Sequence, residues 1–537
     1  MKPHRSRSAL LRPAALALTL SLATAGLAAC GSGSGSGGDE AKAYVDGQAF
    51  TMALSADPGA LDPQGGVGGT LLQLTRFAYD SLVSVDAEGE VSSQLAEKWS
   101  VDGTTVTFDI KAGVTCSDGA EFTAQTVADN ISYVEDPKNQ SPFLGVFIPA
   151  GATAKASGQT VTVTLAAPAP FVLASFANLP MVCDSGLKDR ASLKAGTAGT
   201  GPYTLAEAVP GDHYTYEVRE DYAWGPDGAK TSAKGTPATI EAKIVGNETT
   251  AANQLLSGDL NAASVAGQEA GRLDAAKVSR ADVQAVVGEQ WYNHAEGHPT
   301  ADPAVRAALT QALDLAELQK VITAGQGGPA TQLAVVAPAG CTGSSVEGNV
   351  ADNDVAAAEK ALDEAGWNAG ADGIRTKDGK PLAVTVLHDS SIGATGTAAA
   401  ELAVAAWKKV GVDATAKSLD QTAIQTAIFG TGDWDVAWVP INVQTPDQIV
   451  PFLSGPGPAE GGNNFAGIAN PDYDAAVKTA MSKNGAEGCA DWLAAEASLF
   501  EAHDVVPFAN NLLPFFSQGA ELEVVGNVVP TSIRMLG

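Results

Sequence analysis

Residues 382–419 read LAVTVLHDSSIGATGTAAAELAVAAWKKVGVDATAKSL, and this stretch decides the fold class. Its two ends are rich in strand-forming residues, which predicts strands at 382–387 and 412–419. Residues 397–410 between them are rich in alanine and stop at Gly411, which predicts a helix. A strand, a helix and a second strand in this order are typical of an α/β domain with parallel pairing.

The same alternation of strands and helices extends along the rest of the chain. Apolar alternation with β-branched residues predicts further strands at 104–110, 159–165 and 214–218. Helices are predicted from the N-cap Asp302 with Pro303 in the first turn, at 352–365 and at 489–503. No internal repeat of 20–50 residues interrupts this order. We therefore expect an α/β protein rather than a repeat array.

Composition and charge limit the class of function. The chain has 537 residues, which allows about three domains at about 150 residues each. Apolar residues make up 45%, enough to build cores and to exclude a wholly disordered chain. The net charge is -29, from 32 basic and 61 acidic residues. A nucleic-acid partner is therefore not expected, because such binding requires a basic surface.

The N-terminus has the layout of a secretory signal peptide, with basic residues followed by an apolar stretch from 14 to 29. This stretch is shorter than the about 20 residues that a membrane-spanning helix needs. It ends in Leu27-Ala28-Ala29-Cys30, which resembles the lipobox of bacterial lipoproteins, and a Gly/Ser segment follows. We expect residues 1–29 to be removed, Cys30 to be lipidated and 30–40 to form a flexible tether. The alternative is an ordinary signal peptide with an incidental cysteine.

The sequence offers no catalytic or metal-binding motif. It contains neither a phosphate-binding G-x4-G-K-[S/T] loop nor a G-x-S-x-G nucleophile turn. His294 and His298 have the i, i+4 spacing of metal ligands, but Gly297 and Pro299 break a helix there. A surface loop is the better interpretation of that segment. We expect no enzyme activity, no cofactor and no metal site.

Four cysteines remain after Cys30, and none belongs to a CxxC pair. An exported protein is expected to pair them, and four cysteines allow three connectivities. The four are Cys116, Cys183, Cys341 and Cys489.

Several sequence blocks in order resemble the family 5 extracytoplasmic solute-binding proteins of ABC importers, which include peptide-binding and nickel-binding proteins. The blocks are YDSLV at 79–83, LAEKW at 95–99, GTGPY at 199–203, DPAVRAALTQALD at 302–314 and ALDEAGW at 361–367. The resemblance covers most of residues 45–535. It implies a two-lobed periplasmic-binding-protein-like α/β fold with a hinge, closing on a solute, and an extra subdomain on the first lobe.

The resemblance also implies lobe boundaries. Lobe I is expected from 41–84, 197–292 and 509–537, with the extra subdomain at 85–196 and lobe II at 293–508. Disulfides Cys116–Cys183 and Cys341–Cys489 would each stay within one lobe, whereas the other pairings would hinder closure.

Site residues follow from the peptide-binding relatives, in which a Trp is followed by an Asp and a Pro, and the Asp pairs with the peptide α-amine. The matching stretch here starts at Trp438 and ends at Pro446, but the Asp position falls on Ile441 or Asn442. An Asn accepts a hydrogen bond but cannot neutralise an ammonium. The candidate ligand contacts are Trp438, Asn442, Gln444, Trp291, Asn293, Asn463 and Asn464.

The expected function is a monomeric, membrane-tethered protein that captures a solute, foremost a peptide, and delivers it to an ABC permease. Nickel chelates and oligosaccharides remain open as solutes. A sensor or interaction lipoprotein on the same fold is the alternative outside transport.

Overall fold

The computed structural model describes residues 43–537, except residues 67, 146, 372, 421, 422, 425 and 461. The predicted signal peptide and Cys30, with the tether up to residue 40, lie outside the described residues.

The strands are β1 (Ala49–Leu54), β2 (Val83–Val85), β3 (Val91–Ser93), β4 (Ala96–Asp102), β5 (Thr105–Ile110), β6 (Thr153–Ser157), β7 (Thr160–Thr164), β8 (Tyr203–Val209), β9 (His213–Val218), β10 (Thr239–Ile244), β11 (Ala262–Ser264), β12 (Ser279–Tyr292), β13 (Asn368–Ala369), β14 (Arg375–Lys377), β15 (Lys380–Pro381), β16 (Ala383–Asp389), β17 (Asp413–Leu419), β18 (Val436–Trp438), β19 (Val505–Ser517), β20 (Ala520–Glu521), β21 (Val524–Val525), β22 (Asn527–Val528) and β23 (Arg534–Met535).

The helices are α1 (Gly69–Ala78), α2 (Ala124–Glu135), α3 (Val172–Ala177), α4 (Asp184–Lys188), α5 (Glu248–Ser257), α6 (Gly267–Ala275), α7 (Pro303–Gln311), α8 (Leu315–Ile322), α9 (Val355–Glu364), α10 (Gly393–Lys409), α11 (Pro446–Leu453), α12 (Pro471–Ala480) and α13 (Cys489–Glu501).

The strand–helix–strand prediction at 382–419 is confirmed. Strands β16 and β17 pair in parallel, and α10 connects them. The helix predicted after Asp302 is also present, and the Asp302 side chain accepts a hydrogen bond from the Ala304 backbone at 3.0 Å. Local capping and hydrophobic patterning are therefore sufficient to predict these elements from the sequence.

A ten-stranded sheet contains strands from both halves of the chain, in the order β17-β16-β18-β12-β19-β11-β1-β10-β9-β8. Its two longest strands, β12 and β19, pair antiparallel and stand at the middle of the order. A separate four-stranded sheet has the order β4-β5-β7-β6. The long central pair thus connects the half of the sheet near β1 to the half near β16.

Buried side chains form separate cores on the two sides of this central pair. The first core gathers residues between 50 and 262 and returns to 520–535 at the C-terminal end. The second core gathers residues between 291 and 509 in two adjoining clusters. The chain therefore leaves the first core once and comes back to it at its end.

Both predicted disulfides are present. Cys116 bonds to Cys183, and Cys341 bonds to Cys489. Cys116 and Cys183 belong to the first core, whereas Cys341 packs with Trp492 and Phe171. Among the residues described from 43 onward, no helix combines the length and apolar character needed to cross a bilayer.

Candidate functional site

The two cores meet along a seam formed by the segment around α3. The Asn178 side-chain amide donates to Gln444 Oε1 at 3.0 Å. The Gly485 backbone amide donates to Pro170 O at 2.9 Å, and the Phe171 and Trp492 rings lie 6.2 Å apart between centroids. These contacts hold the two sides against each other, so the described conformation is closed at this edge.

Gly340 lies in a loop that fills the seam. Its backbone amide donates to Gln444 O at 2.7 Å. A Cβ at this position would stand 2.8 Å from Phe171 Cε1 and 2.8 Å from Thr445 Cγ2. Only glycine permits this approach, because real Cβ contacts are longer.

A cavity of about 340 Å³ opens where the central strand pair meets the first core. Its walls come from the end of β1, the first two turns of α1, β12 and β19, and the hairpin of β21 and β22. The lining is mainly apolar, and Leu513 on β19 is 43% exposed. An apolar side chain left open in a concave site is suited to contact with a ligand.

Two smaller cavities of about 80 and 70 Å³ continue along α1. They share Arg76, Tyr79, Ser81, Ala177 and Asn178. Asn178 is also the residue that contacts Gln444, so these cavities reach the seam. Asn527 borders both the 70 Å³ and the 340 Å³ cavity. We call the three cavities together the cleft.

The C-terminal end of α1 is fixed by a buried carboxylate. Asp80 accepts hydrogen bonds at 2.8–3.1 Å from Gln94, Thr200, Tyr222 and Trp224. Burial raises the pKa of Asp80, and the four donors oppose this by stabilising its charged form. The Ala198 backbone amide donates to the Tyr79 hydroxyl at 3.0 Å. These hydrogen bonds tie the C-terminal end of α1 to Gln94 and to the segments 198–200 and 222–224.

Comparisons with known proteins decide the family. The profile of the bacterial extracellular solute-binding proteins, family 5 (middle), matches residues 90–460. The chain belongs to this family. Family 5 proteins bind solutes rather than catalyse reactions, and they serve ABC importers of peptides and related ligands, including nickel.

Individual relatives agree with the family. Protein XP55 of Streptomyces lividans is 28% identical over 447 residues, 80% of this chain and 77% of that protein. The oligopeptide-binding protein OppA of Bacillus subtilis is 27% identical over 55% of this chain and 59% of its own length. The open form of the periplasmic murein tripeptide-binding protein MppA superposes with a TM-score of 0.76 at 21% identity, covering 93% of this chain and 99% of its own. The predicted fold class is confirmed.

In this family 5 protein, the two predicted tryptophans lie in the core. Trp438 and Trp291 have no exposed surface. The Trp438 indole donates to Gln290 Oε1 at 3.0 Å and packs 5.1 Å from the Phe508 ring. The Trp291 indole donates to Val439 O at 3.0 Å. The expected stacking of a solute on either ring does not fit this structure, because both indoles are fully buried and hydrogen-bonded within the core.

Three predicted asparagines lie in loops of the second core. Asn293 is buried and donates to Gly432 O and Trp434 O. Asn464 is buried and exchanges hydrogen bonds with the Ile468 backbone. Asn463, its neighbour, is exposed. The two buried amides are occupied by loop backbone, so neither is free for a solute in this conformation.

Gln444 lies at the seam and Asn442 beside β12, and neither lines the three cavities of the cleft. Gln444 accepts from Asn178 at the seam and donates to Ala337 O at 3.2 Å. Asn442 is exposed and pairs with the backbone of Val286 on β12, accepting from N at 2.7 Å and donating to O at 3.2 Å. Asn442 thus links the loop after β18 to the central strand pair.

Sequence reasoning missed the α1 residues of the cleft. Arg76 stands three residues before Tyr79, within an otherwise uncharged helix that leads into the YDSLV block. A single basic residue in an otherwise uncharged helix could have marked Arg76 as a candidate cleft residue. No local sequence pattern predicts that the β21–β22 hairpin lines the cleft. The hairpin reaches the cleft only because the C-terminal end of the chain packs back against the first core.

Two buried carboxyl groups lie under loops of the second core, Glu289 under the loop after β18 and Glu496 under the segment from 333 to 345. Glu289 accepts from the Ile441 backbone at 2.7 Å, and burial raises the pKa of Glu289 to about 8. Glu496 accepts from Leu333 N at 3.2 Å and Ser345 Oγ at 2.5 Å, and burial raises the pKa of Glu496 to about 7. At neutral pH Glu289 therefore favours the protonated form, whereas Glu496 is close to its midpoint of ionisation.

The Glu289→Gln variant is expected to change the pH dependence of stability. A raised carboxyl pKa stabilises the fold fully below the unfolded value near 4.5, and this contribution is lost as pH rises through about 8. Glutamine imitates the protonated group, so the variant should lie within about 1 kcal/mol of wild type at pH 5 and exceed it by a few kcal/mol at pH 8.5. Urea unfolding at both pH values measures this. The surface change Glu359→Gln is the control, and an equal offset at both pH values would contradict the assignment.

Proposed function

We propose that this solute-binding protein captures a short peptide in the cleft, whose walls belong to lobe I and which lobe II borders at Pro338, and delivers it to an ABC permease, acting as a monomer. The 340 Å³ cavity between α1, the central strands and the β21–β22 hairpin carries this proposal, because it combines an apolar lining with polar groups. OppA is named as an oligopeptide-binding protein and MppA as a murein tripeptide-binding protein, which supports the peptide class.

The lobe boundaries belong to the same proposal. Lobe I comprises 41–84, 197–292 and 509–537, its extra subdomain 85–196, and lobe II 293–508. The two separate cores support this division, since the first draws on both the early and the last residues of the chain. Strands β12 and β19 act as the hinge, and Gln444 meets the solute or the opposite lobe on closure.

A Gly69→Trp variant tests the cleft as the place of capture. Gly69 borders the large cavity, and nothing lies within 4 Å of its added Cβ, so an indole there occupies open space. Purified full-length chain is denatured, and the released small molecules are identified by mass spectrometry. We expect peptides from wild type and at least about 10-fold less from Gly69→Trp, as for the loss of a central contact.

Gly271→Trp on α6 is the matched control, because its Cβ position is equally open and lies outside the cleft. It should release as much peptide as wild type. Release of no peptide from wild type would contradict the peptide proposal. Equal release from wild type and Gly69→Trp would contradict the location.

We also propose that a lipid on Cys30 holds the mature protein on the outer face of the bacterial cell membrane. The lipobox-like Leu27-Ala28-Ala29-Cys30 and the Gly/Ser segment behind it support this. A diacylglyceryl group supplies more than one chain, which stable anchoring needs. After expression in a native-like bacterium, Cys30→Ser should move from the membrane pellet to the soluble fraction. A variant that stays in the pellet as firmly as wild type would refute the anchor.

A further inference from the structure

One phenylalanine of lobe I is buried in lobe II. Phe171 stands just before α3, whose Val172 and Phe176 belong to the first core. The Phe171 ring is not part of that core, although the residue is only 5% exposed. It is buried in a separate small cluster, whose other fully buried members, all from lobe II, are Cys341, Ala480 and Trp492. The opposite lobe therefore shields this ring from water.

The socket for the ring, which we define by Cys341, Ala480 and Trp492, is held together within lobe II. The disulfide between Cys341 and Cys489 joins the loop around Gly340 to the start of α13. The Gln332 side-chain amide donates to Cys341 O at 2.8 Å. Neither bond involves lobe I. Lobe II thus presents a built apolar recess, and lobe I supplies the side chain that fills it.

The contact lies outside the cleft but is connected to it by α3. Neither Phe171 nor Trp492 lines the three cavities, whereas Ala177 and Asn178 at the other end of α3 border the two smaller ones. The six residues of α3 span about 9 Å. The ring therefore enters its socket without contacting a solute in the cleft, and α3 joins this contact to the cleft wall.

We propose that Phe171 is a latch that holds the two lobes together in the absence of solute, and that lobe II moves away from the cleft only when this ring leaves its socket. A rotation about β12 and β19 would withdraw the ring and expose it to water. Burying a Phe side chain corresponds to about 10- to 100-fold in an equilibrium constant. The latch should favour the closed form by this factor. The inference does not depend on the solute being a peptide.

The test follows lobe opening by hydrogen–deuterium exchange, with single amides resolved by mass spectrometry. The Gly485 amide is the probe, because its acceptor, Pro170 O at 2.9 Å, is on the opposite lobe. Solute is removed by unfolding the full-length chain in guanidinium and refolding it with the disulfides intact. The variants are Phe171→Ala and the milder Phe171→Leu. Phe452→Ala is the control for loss of a ring, since Phe452 packs against Phe465 inside the second core.

Solute-free wild type and Phe452→Ala should protect the Gly485 amide at least about 10-fold relative to an unstructured peptide. Phe171→Ala should speed this exchange about 10- to 100-fold, and Phe171→Leu should lie between the two. Small-angle X-ray scattering should give a larger radius of gyration for Phe171→Ala, while amides inside α3 and α13 keep their wild-type protection.

Two results would overturn the latch whatever the solute is. One is an unprotected Gly485 amide in solute-free wild type, or exchange that is equal in wild type and both Phe171 variants. The other is faster exchange of α3 itself in the variants, because the ring would then stabilise its own subdomain rather than the closure. Phe171→Leu decides if Phe171→Ala does not fold.

Discussion

Replacing Cys341 and Cys489 together by alanine should lower the free energy of unfolding by about 5 kcal/mol. The bond closes a loop with a sequence separation of 148 residues, and cross-linking so long a loop removes much entropy from the unfolded chain. It also ties the seam loop near Gly340 to α13, beside Trp492. Urea unfolding of the full-length chain under oxidising conditions measures the difference.

A reductant provides the control for the disulfide. With dithiothreitol the wild type loses the same bond, so the difference between the proteins should disappear. Removing Cys116 and Cys183, whose separation is 67 residues, should cost about 4 kcal/mol in the same assay. A loss below about 1 kcal/mol, or one that persists in reductant, would refute the cross-link as the cause.

Gly201→Ala should destabilise the protein by about 3 kcal/mol and weaken solute capture as well. The added Cβ would stand 2.4 Å from the Ala78 carbonyl carbon and 2.6 Å from the Tyr79 nitrogen. Both atoms are backbone at the end of α1, so relief requires the helix to move. That movement would displace Arg76 and Tyr79 on the cleft wall.

The matched substitution Gly271→Ala meets no atom within 4 Å. It lies inside α6, where alanine is favoured over glycine by up to about 1 kcal/mol, so it should stabilise. Thermal and urea unfolding of the two variants test the contrast. A Gly201→Ala protein as stable as wild type would show that α1 is not held against this turn.

Elements with strong local signals were predictable from the sequence. The helix after Asp302 and the unit at 382–419 needed only capping and periodicity. The cysteine pairs needed more, because the residues alone left three connectivities and the family resemblance was required to choose between them.

The cleft was less predictable, since its walls come from segments far apart in the chain. Trp438 matched a family motif, yet its strand lies inside the sheet, between β16 and β12, and its indole has no exposed surface. Exposure depends on which strands flank a residue, and a motif does not contain that information. Gln444 reached the seam because it follows the strand end, where the loop turns toward α3.

The central claim is that a solute is held in the cleft, against α1 and the β21–β22 hairpin of lobe I, with lobe II bordering it at Pro338. The most direct measurement is a crystal structure of the full-length chain with the solute it retains. We predict electron density for a short peptide in contact with Gly69, Gln73, Arg76 and Asn527. A solute bound away from these residues, with the cleft holding only water, would contradict the account.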